Sequence, residues 1–306
     1  MDSEQLDHKA FVASLGDLER LSLTKKSDRA GLLYLLSHVA CIVLTGVWIG
    51  LALPLWQGVL VLHGIQIVFL FTLLHETVHD TPFRSQHLNT WVGRICGFLI
   101  ILQPTHFRYF HLAHHRHTHD PEKDPELASG SPTTLRNYLW YVSGIPVWWN
   151  HISTLLLCAA GKVYYPYVPK KAVPRIVREA RIMIAFYRLL ATVSLFSSSP
   201  ILIYFWLLPI LLGQPFLRIY LSAEHGRCPH VANMFENTRT TITNSVVRWL
   251  AWNMPYHAEH HAYPAVPFHK LPEFHEVAKR HLKITENGYT ANSRKHVSEL
   301  VRGNIG

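Results

Sequence analysis

Three groups of histidines in this chain have spacings that suit metal binding. The first is HETVHD, residues 75–80, in which two histidines lie four residues apart. The second is HLAHH, residues 111–115, and the third is HAEHH, residues 257–261; each has histidines at positions i, i+3 and i+4. Residues at these spacings share one face of a helix. Because neutral imidazole is the commonest protein ligand of transition metals, the pattern predicts metal binding. The eight candidate ligands are His75, His79, His111, His114, His115, His257, His260 and His261.

The first group also spells HExxH, the pattern of zinc peptidases, in which Glu76 would be the general base. A catalytic zinc takes three protein ligands and leaves a position for water. The eight histidines exceed that number, so two metal ions are the simpler interpretation. A non-catalytic metal transporter or buffer is a further alternative. It predicts paired charged or histidine residues inside membrane spans, where only His38 and His63 are available.

Long uncharged segments indicate an integral membrane protein. Hydrophobic residues make up 49% of the 306, and residues 31–74 contain no Lys, Arg, Asp or Glu. That run is about twice the roughly 20 residues that cross a bilayer. A second uncharged run covers residues 189–217, and residues 182–187 extend it. We expect four spans in two helical hairpins, over about residues 31–53, 55–75, 182–198 and 200–221.

Basic residues beside the predicted hairpins set the expected orientation. Loops rich in Lys and Arg stay cytoplasmic, and neither presumed outer turn carries a charge. We therefore place both termini and all three histidine groups on the cytoplasmic side. The apolar segment 139–160, interrupted by Pro146, is expected to form an interfacial or re-entrant helix in the headgroup zone. Contact with anionic headgroups accounts for the net charge of +9, so nucleic acid binding is not expected.

The chain is expected to form a single membrane-bound domain over residues 1–306, with a short cytoplasmic N-terminal segment at 1–30. That segment has no apolar run followed by a cleavage site, so we expect no removable signal peptide. The four cysteines show no CxxC spacing, which argues against a disulfide framework or a zinc ribbon.

His225, in SAEHGR, is a ninth candidate ligand because it closely follows the fourth predicted span and so shares the depth of the other groups. A lone histidine at a membrane boundary is as often an interfacial hydrogen-bonding residue, and the residues alone leave both interpretations open. His117 and His119 adjoin the second group. Because Asp120 and Pro121 are expected to end that helix, we expect these two histidines to face solvent or to support the ligands.

Three acidic residues lie beside candidate ligands: Glu76, Glu224 and Glu259. Carboxylates commonly orient metal-binding imidazoles by accepting a hydrogen bond from the ring. Each of the three is a candidate for that role, and each has the alternative of facing solvent.

The histidine groups and their flanks resemble the membrane-bound fatty acid desaturase family, whose three boxes read HxxxH or HxxxxH, HxxHH and HxxHH. HETVHD matches the first box, HLAHHRHTHDPEKDPE the second and NMPYHAEHHAYPAVPFHKLP the third, and the similarity runs from about Gly31 to Leu271. The resemblance implies an all-α fold of four transmembrane helices under a helical cytoplasmic cap with a histidine-rich di-metal site. It also implies that the eight box histidines and His225 bind two iron ions.

The activity implied by the resemblance is the O2-dependent introduction of a double bond into an acyl chain of a fatty acid or lipid. A hydroxylase, a ketolase or an alkene-forming decarboxylase on a lipid, carotenoid or small amphiphile uses the same chemistry and stays open. Nitrogen-rich sites favour copper or zinc over ferrous iron, so the iron assignment rests on the resemblance. No fused cytochrome b5 module is apparent, and the expected electron donor is a separate ferredoxin, rubredoxin or cytochrome. His257 stands where members that act near the carboxyl end of the chain often have Gln, which disfavours that subgroup.

Overall fold

The computed structural model describes residues 6–303, which fold mainly into helices. The first seven α-helices are α1 (His8–Ser14), α2 (Asp17–Leu23), α3 (Asp28–Gly50), α4 (Trp56–Val68), α5 (Leu70–Val78), α6 (Gln86–Leu99) and α7 (Pro104–His117). The next four are α8 (Leu135–Val142), α9 (Ile145–Ala159), α10 (Val173–Phe196) and α11 (Leu208–His225). The last five are α12 (Met234–Asn237), α13 (Ser245–Leu250), α14 (His257–Ala262), α15 (Leu271–Ala278) and α16 (Tyr289–Arg302). The ends of the predicted domain, residues 1–5 and 304–306, lie outside the described residues.

Three helical stretches within residues 6–303 are long and apolar enough to cross a membrane: Asp17–Gly50, Trp56–Val78 and Ile203–His225. They correspond to the first, second and fourth predicted spans. The predicted span at 182–198 lies mostly in α10, where Arg188 interrupts the apolar run and Arg181 precedes it. Charged side chains are costly inside a bilayer, so α10 is not one of the three. The third span and the two-hairpin arrangement therefore stay predictions.

Helix α4 packs against both α3 and α11. The contact with α11 is close because Gly64 faces Gly213: a Cβ added to Gly64 would overlap the carbonyl oxygen of Pro209, and one added to Gly213 would overlap the backbone of Gly64. Small residues allow this kind of approach between membrane helices. The chain continues from α4 through Phe69 into α5, so this contact also fixes the helix that carries the first histidine group.

His38 in α3 and His63 in α4 bond across to neighbouring helices. His38 Nε2 is 2.8 Å from the carbonyl oxygen of Gln66 in α4. His63 Nδ1 is 2.7 Å from the hydroxyl of Thr45 in α3, and its Nε2 is 3.1 Å from the carbonyl oxygen of Phe205. These contacts satisfy both rings locally, which suits the structural role that interhelical hydrogen bonds have in membranes.

The segment 139–160 covers the second half of α8 and all of α9, with a break at Gly144, whose φ is +74°. A positive φ suits glycine and ends α8, and Pro146 then lies in the first turn of α9. Trp140 and Trp149 are 53% and 75% exposed. Exposed tryptophans are typical of membrane interfaces, and the interfacial placement of this segment stays a prediction.

The C-terminal part, α12 to α16, surrounds the third histidine group. Its core contains fully buried Trp252, Phe235, Phe268 and Phe274. The strands β1 (Thr240–Ile242) and β2 (Thr285–Asn287) form a parallel pair in which Thr240 lies opposite Thr285. The predicted all-α fold is therefore correct except for this short ladder, where a buried segment between helices satisfies its backbone groups by strand pairing.

Candidate metal centre

The structure brings all nine candidate histidines together at helix ends. His75 is in α5 and His79 caps its C-terminus; the second group occupies the last turns of α7, the third group begins α14, and His225 is the last residue of α11. Since α5 and α11 both reach the site with their C-terminal ends, the two apolar stretches that contain them end on the same side. Six of the nine histidines are at most 5% exposed, which makes the site a buried one.

The histidines form two adjoining sets, here called the first and second clusters. The first cluster comprises His75, His79, His111, His115 and His260, and the second comprises His114, His225 and His261; within each, one nitrogen per ring lies within 4.8 Å of the others. His257 adjoins the second cluster, since its Nε2 is 3.1 Å from Nε2 of His225. Each cluster combines side chains from at least three helices.

The ring nitrogens face one another as ligands of a shared ion do. Nε2–Nε2 distances are 2.7 Å for His75 and His260 and 3.0 Å for His79 and His111. The corresponding distance for His114 and His225 is 3.2 Å. Two nitrogens bound at about 2.1 Å to one metal ion, at right angles, lie about 3 Å apart, so these spacings fit metal ligation.

Several buried nitrogens of the site have no hydrogen-bond partner. Those that face the clusters are Nδ1 and Nε2 of His115 and Nε2 of His261, whereas the unpartnered Nδ1 atoms of His257 and His260 lie on the carboxylate side of their rings. A buried polar atom without a partner costs free energy, and a bound cation removes that cost for a nitrogen lone pair. The all-nitrogen donor set therefore fits two transition-metal ions.

Burial keeps most of these rings neutral. Burial, reinforced by the neighbouring histidines, holds the pKa of His111, His260 and His261 well below the usual value for histidine. Burial likewise lowers the pKa of His257. A neutral imidazole keeps the lone pair that binds a metal, so the site is ready for ligation at neutral pH.

His114 differs because carboxylates surround it. Burial lowers its pKa, but Glu126 and Asp124 outweigh this effect, and the pKa lies above the usual value. Asp124 is 4% exposed, and its Oδ1 is 2.9 Å from Nδ1 of His114. Glu126 Oε2 is 3.0 Å from Nε2 of the same ring. Sequence reasoning matched the DPEKDPE stretch to a family box but assigned no role to either acid.

The three predicted orienting glutamates have different surroundings. Glu76 Oε1 lies 3.5 Å from Nδ1 of His260, and Glu224 Oε1 lies 3.5 Å from Nδ1 of His257. Both are beside a candidate ligand. Glu259 instead accepts a 2.5 Å hydrogen bond from the hydroxyl of Thr240 and contacts His275. Glu259 thus links α14 to β1 and α15, and neither of these two contacts is with a cluster histidine.

The histidines after the second group also differ from each other. Helix α7 ends at His117, as the positions of Asp120 and Pro121 predict. His117 is partly exposed, whereas His119 is only 6% exposed and its ring centroid lies 5.4 Å from that of His225. Thr118 is also part of the site, because its hydroxyl is 3.2 Å from Nδ1 of His261.

Comparison with known proteins gives a family match that includes the whole site. The family model described as fatty acid desaturase matches residues 48–292, which contain all nine histidines. The sphingolipid delta(4)-desaturase DES1 of Drosophila melanogaster is 26% identical over 219 residues, covering 69% of this chain and 62% of that protein. The sphingolipid delta(4)-desaturase/C4-monooxygenase DES2 of Mus musculus is 24% identical over 211 residues, covering 67% and 60%. The sn-1 oleoyl-lipid 12-desaturase of Picosynechococcus is 30% identical over 107 residues, covering 32% and 29%. The matches to the two sphingolipid enzymes span about three fifths of their length.

Proposed function

Because the chain belongs to the fatty acid desaturase family, we propose that it is an O2-dependent di-iron oxidoreductase that introduces a double bond into an acyl chain of a fatty acid or lipid. The observation that carries this proposal is the meeting of eight histidines in two adjoining clusters, with His257 beside the second. An unactivated methylene has no acidic proton and no electrophilic carbon, so side-chain acid–base or nucleophilic chemistry does not open its C–H bond. Two irons, when bound, would supply the O2-activating redox chemistry that this bond requires.

In this proposal the first cluster would hold one iron, and the second cluster with His257 would hold the other. The protein's own residues then act by placement. Glu76, Glu224 and Asp124 lie beside rings of His260, His257 and His114 and orient them. The buried surroundings keep most of the rings unprotonated. The reaction consumes the acyl chain, one O2, two electrons and two protons, and it yields an alkene and two water molecules.

Same-family hydroxylation is the second candidate. The DES2 relatives are described as both desaturase and C4-monooxygenase, so one relative's name combines the two outcomes. Both outcomes begin with removal of one hydrogen and differ in whether a second hydrogen leaves or oxygen is added. A ketolase or an alkene-forming decarboxylase on a carotenoid or small amphiphile belongs to the same chemical class.

An intramembrane zinc peptidase is the less favoured candidate. Its general base would be Glu76, but Oε2 of this residue accepts hydrogen bonds from the Thr81 hydroxyl at 2.9 Å and from the Phe268 backbone N–H at 3.0 Å. A carboxylate engaged in this way connects the first histidine group to the C-terminal part of the protein. It is poorly placed to activate a water molecule.

The expected setting is a multi-pass membrane protein with the metal centre and both termini on the cytoplasmic side. Three apolar helical stretches support the membrane location. The substrate is then a membrane lipid or its acyl chain, and the electrons come from a separate ferredoxin, rubredoxin or cytochrome. These partners and the orientation are part of the proposal.

Metal analysis of the purified protein tests the site, and product analysis with ¹⁸O2 tests the reaction. We expect about two irons per chain, since nine nitrogen donors exceed the needs of one ion. Zinc at about one per chain would contradict the proposal. In a reaction reconstituted with lipid and a reduced donor, desaturation gives an added double bond and leaves the label in water. Label retained in the product identifies the monooxygenase alternative.

A further inference from the structure

A groove of about 820 Å³ opens beside the metal centre, between α1, the segment that follows α7 and the segment that follows α11. Two cluster residues, His115 and His261, form part of its wall, so the groove connects the centre with the surface. Its lining is rich in imidazole: the histidines that line it are His8, His115, His117, His119, His230 and His261. Four of these six are outside the proposed ligand set.

Two of the additional histidines form a series that leads inward. His230 is exposed, whereas His119 is only 6% exposed. The ring centroids of His230 and His119 are 4.9 Å apart, and those of His119 and His225 are 5.4 Å apart. The series therefore runs from the surface, through a buried ring, to the second cluster.

Both additional rings are held in the form that binds metals. His119 Nδ1 lies 3.1 Å from the carbonyl oxygen of Pro229, and His230 Nδ1 lies 3.1 Å from the carbonyl oxygen of His119. Since a carbonyl oxygen only accepts, each Nδ1 donates its hydrogen. In the neutral ring Nε2 then keeps its lone pair, as in metal-binding histidines whose other nitrogen is bonded to a carbonyl.

The position of His119 is specified by its surroundings. Its φ is +61°, in the left-handed region that non-glycine residues seldom adopt. Asp124 Oδ2 accepts a 2.8 Å hydrogen bond from its backbone N–H, while Oδ1 of the same carboxylate contacts the His114 ring. The buried carboxylate of Asp124 thus holds both His114, a proposed ligand, and His119, which lies between the surface and the second cluster.

We propose that this groove is the route by which divalent metal ions reach the two clusters, with His230 and His119 as successive transit ligands. The proposal rests on the proposed function in one respect, namely that the clusters bind metal. Among residues 6–303, the sets of three or more donors that could hold an ion are the two clusters themselves. His119 and His230 therefore bind an ion with water as the remaining ligands. Such binding is weak enough to release the ion inward.

The test is the rate of metal uptake by the full-length protein in detergent. Metal is removed with a chelator, Fe²⁺ is added without oxygen, and bound iron is measured against time after rapid desalting. The variants are His230→Ala, which changes an exposed residue, and His119→Gln combined with His230→Ala. His87→Ala is the matched control, because His87 is exposed on α6 and does not line the groove. Thermal unfolding of each variant shows that it is folded.

We expect the initial uptake rate to fall about tenfold in the double variant, at the low end of the effect that accessory groups have at metal sites. The single variant is expected to be intermediate, and the control and all final iron contents should match the wild type. Unchanged uptake in the double variant would overturn the proposal. A reduced final iron content would also overturn it, because it would make these residues part of the centre itself. A wild type that takes up no iron would instead refute the proposed function, and the uptake route with it.

Discussion

The imidazole rings of His115 and His261 are stacked, with centroids 4.0 Å apart and ring planes 8° from parallel. His115 comes from α7 and belongs to the first cluster, whereas His261 comes from α14 and belongs to the second. The stacked pair therefore forms a wall that the two clusters share. Through this contact, the position of one set of ligands depends on that of the other.

Replacement of His115 should consequently affect both metal ions. His115→Ala removes a proposed ligand of the first cluster and also the ring on which His261 rests. We expect iron to fall from about two per chain to below one, since loss of only one ion would leave about one. Elemental analysis of purified protein measures this, with His87→Ala as control. A content that stays near one per chain would show that the clusters bind independently.

The peptidase and oxidoreductase interpretations differ in what they require of Glu76. Glu76→Gln keeps a side-chain oxygen that can accept from Thr81 and Phe268, so the connection to the C-terminal part survives. We expect this variant to retain its iron and to lose less than about tenfold in activity. His79→Ala should lose both iron and activity. Iron content and product formation are measured on the two variants side by side. Complete inactivity of Glu76→Gln with full iron would contradict the purely supporting role proposed for Glu76.

Asp124 is expected to control metal affinity without binding the metal. Its carboxylate contacts Nδ1 of His114 and accepts from the backbone of His119 and Glu126. Asp124→Ala removes the partner of His114 Nδ1, and loss of such a partner typically costs about 10- to 100-fold in metal affinity. Competition with a chelator measures the effect. Asp120→Ala is the control, since Asp120 contacts Lys123 and Glu122 rather than a cluster ring.

The sequence predicted which histidines meet, because spacing places them on one helix face and hydrophobic runs place those helix ends at one depth. It did not predict the partners of these histidines. Asp124 reaches His114 only because the chain turns back after α7 through the positive φ of His119. That turn depends on tertiary contacts, such as the hydrogen bond from His119 to the Pro229 carbonyl, which no local pattern encodes.

Helix geometry explains the different position of Glu259. Positions 257, 260 and 261 share one face of α14, and position 259 falls on the opposite face. Its carboxylate therefore meets Thr240 and His275 on the far side of the helix. Its adjacency to His260 in the sequence suggested that Glu259 contacts a cluster. The helical spacing instead places its side chain on the face opposite to the three histidines.

His106 should make the metal-free protein less stable in acid. It is 7% exposed, and burial lowers its pKa from 6.5 to about 4. Above pH 6.5 the ring is neutral in both the folded and unfolded states, so it has no effect. As the pH falls from 6.5 towards 4, only the unfolded state takes up the proton, and the folded state loses stability. The expected loss is about 2 kcal/mol at about pH 5.

The variant His106→Gln removes this titration and keeps a group that can bond to the Tyr167 hydroxyl, which lies 3.3 Å from His106 Nε2. Denaturant unfolding in detergent, at pH values near 7 and 5, gives the free energy of unfolding for both proteins. The difference between the two pH values should be smaller for the variant. Equal differences would contradict the assignment to His106.

The contact of α4 with α11 offers a matched pair of glycine substitutions. Gly64→Ala places a methyl group against the carbonyl oxygen of Pro209, whereas a Cβ at Gly58, in the same helix, meets no atom within 4 Å. Alanine favours a helix over glycine by about 1 kcal/mol at either position. Overpacking costs about 1–3 kcal/mol or more where backbone must move. We therefore expect Gly64→Ala to lower the thermal unfolding temperature and Gly58→Ala to leave it unchanged or raise it.

The same substitution should reduce the iron content, because α4 leads into the helix of His75 and α11 ends at His225. Full iron and normal stability in Gly64→Ala would show that the two helices can separate without disturbing the metal centre.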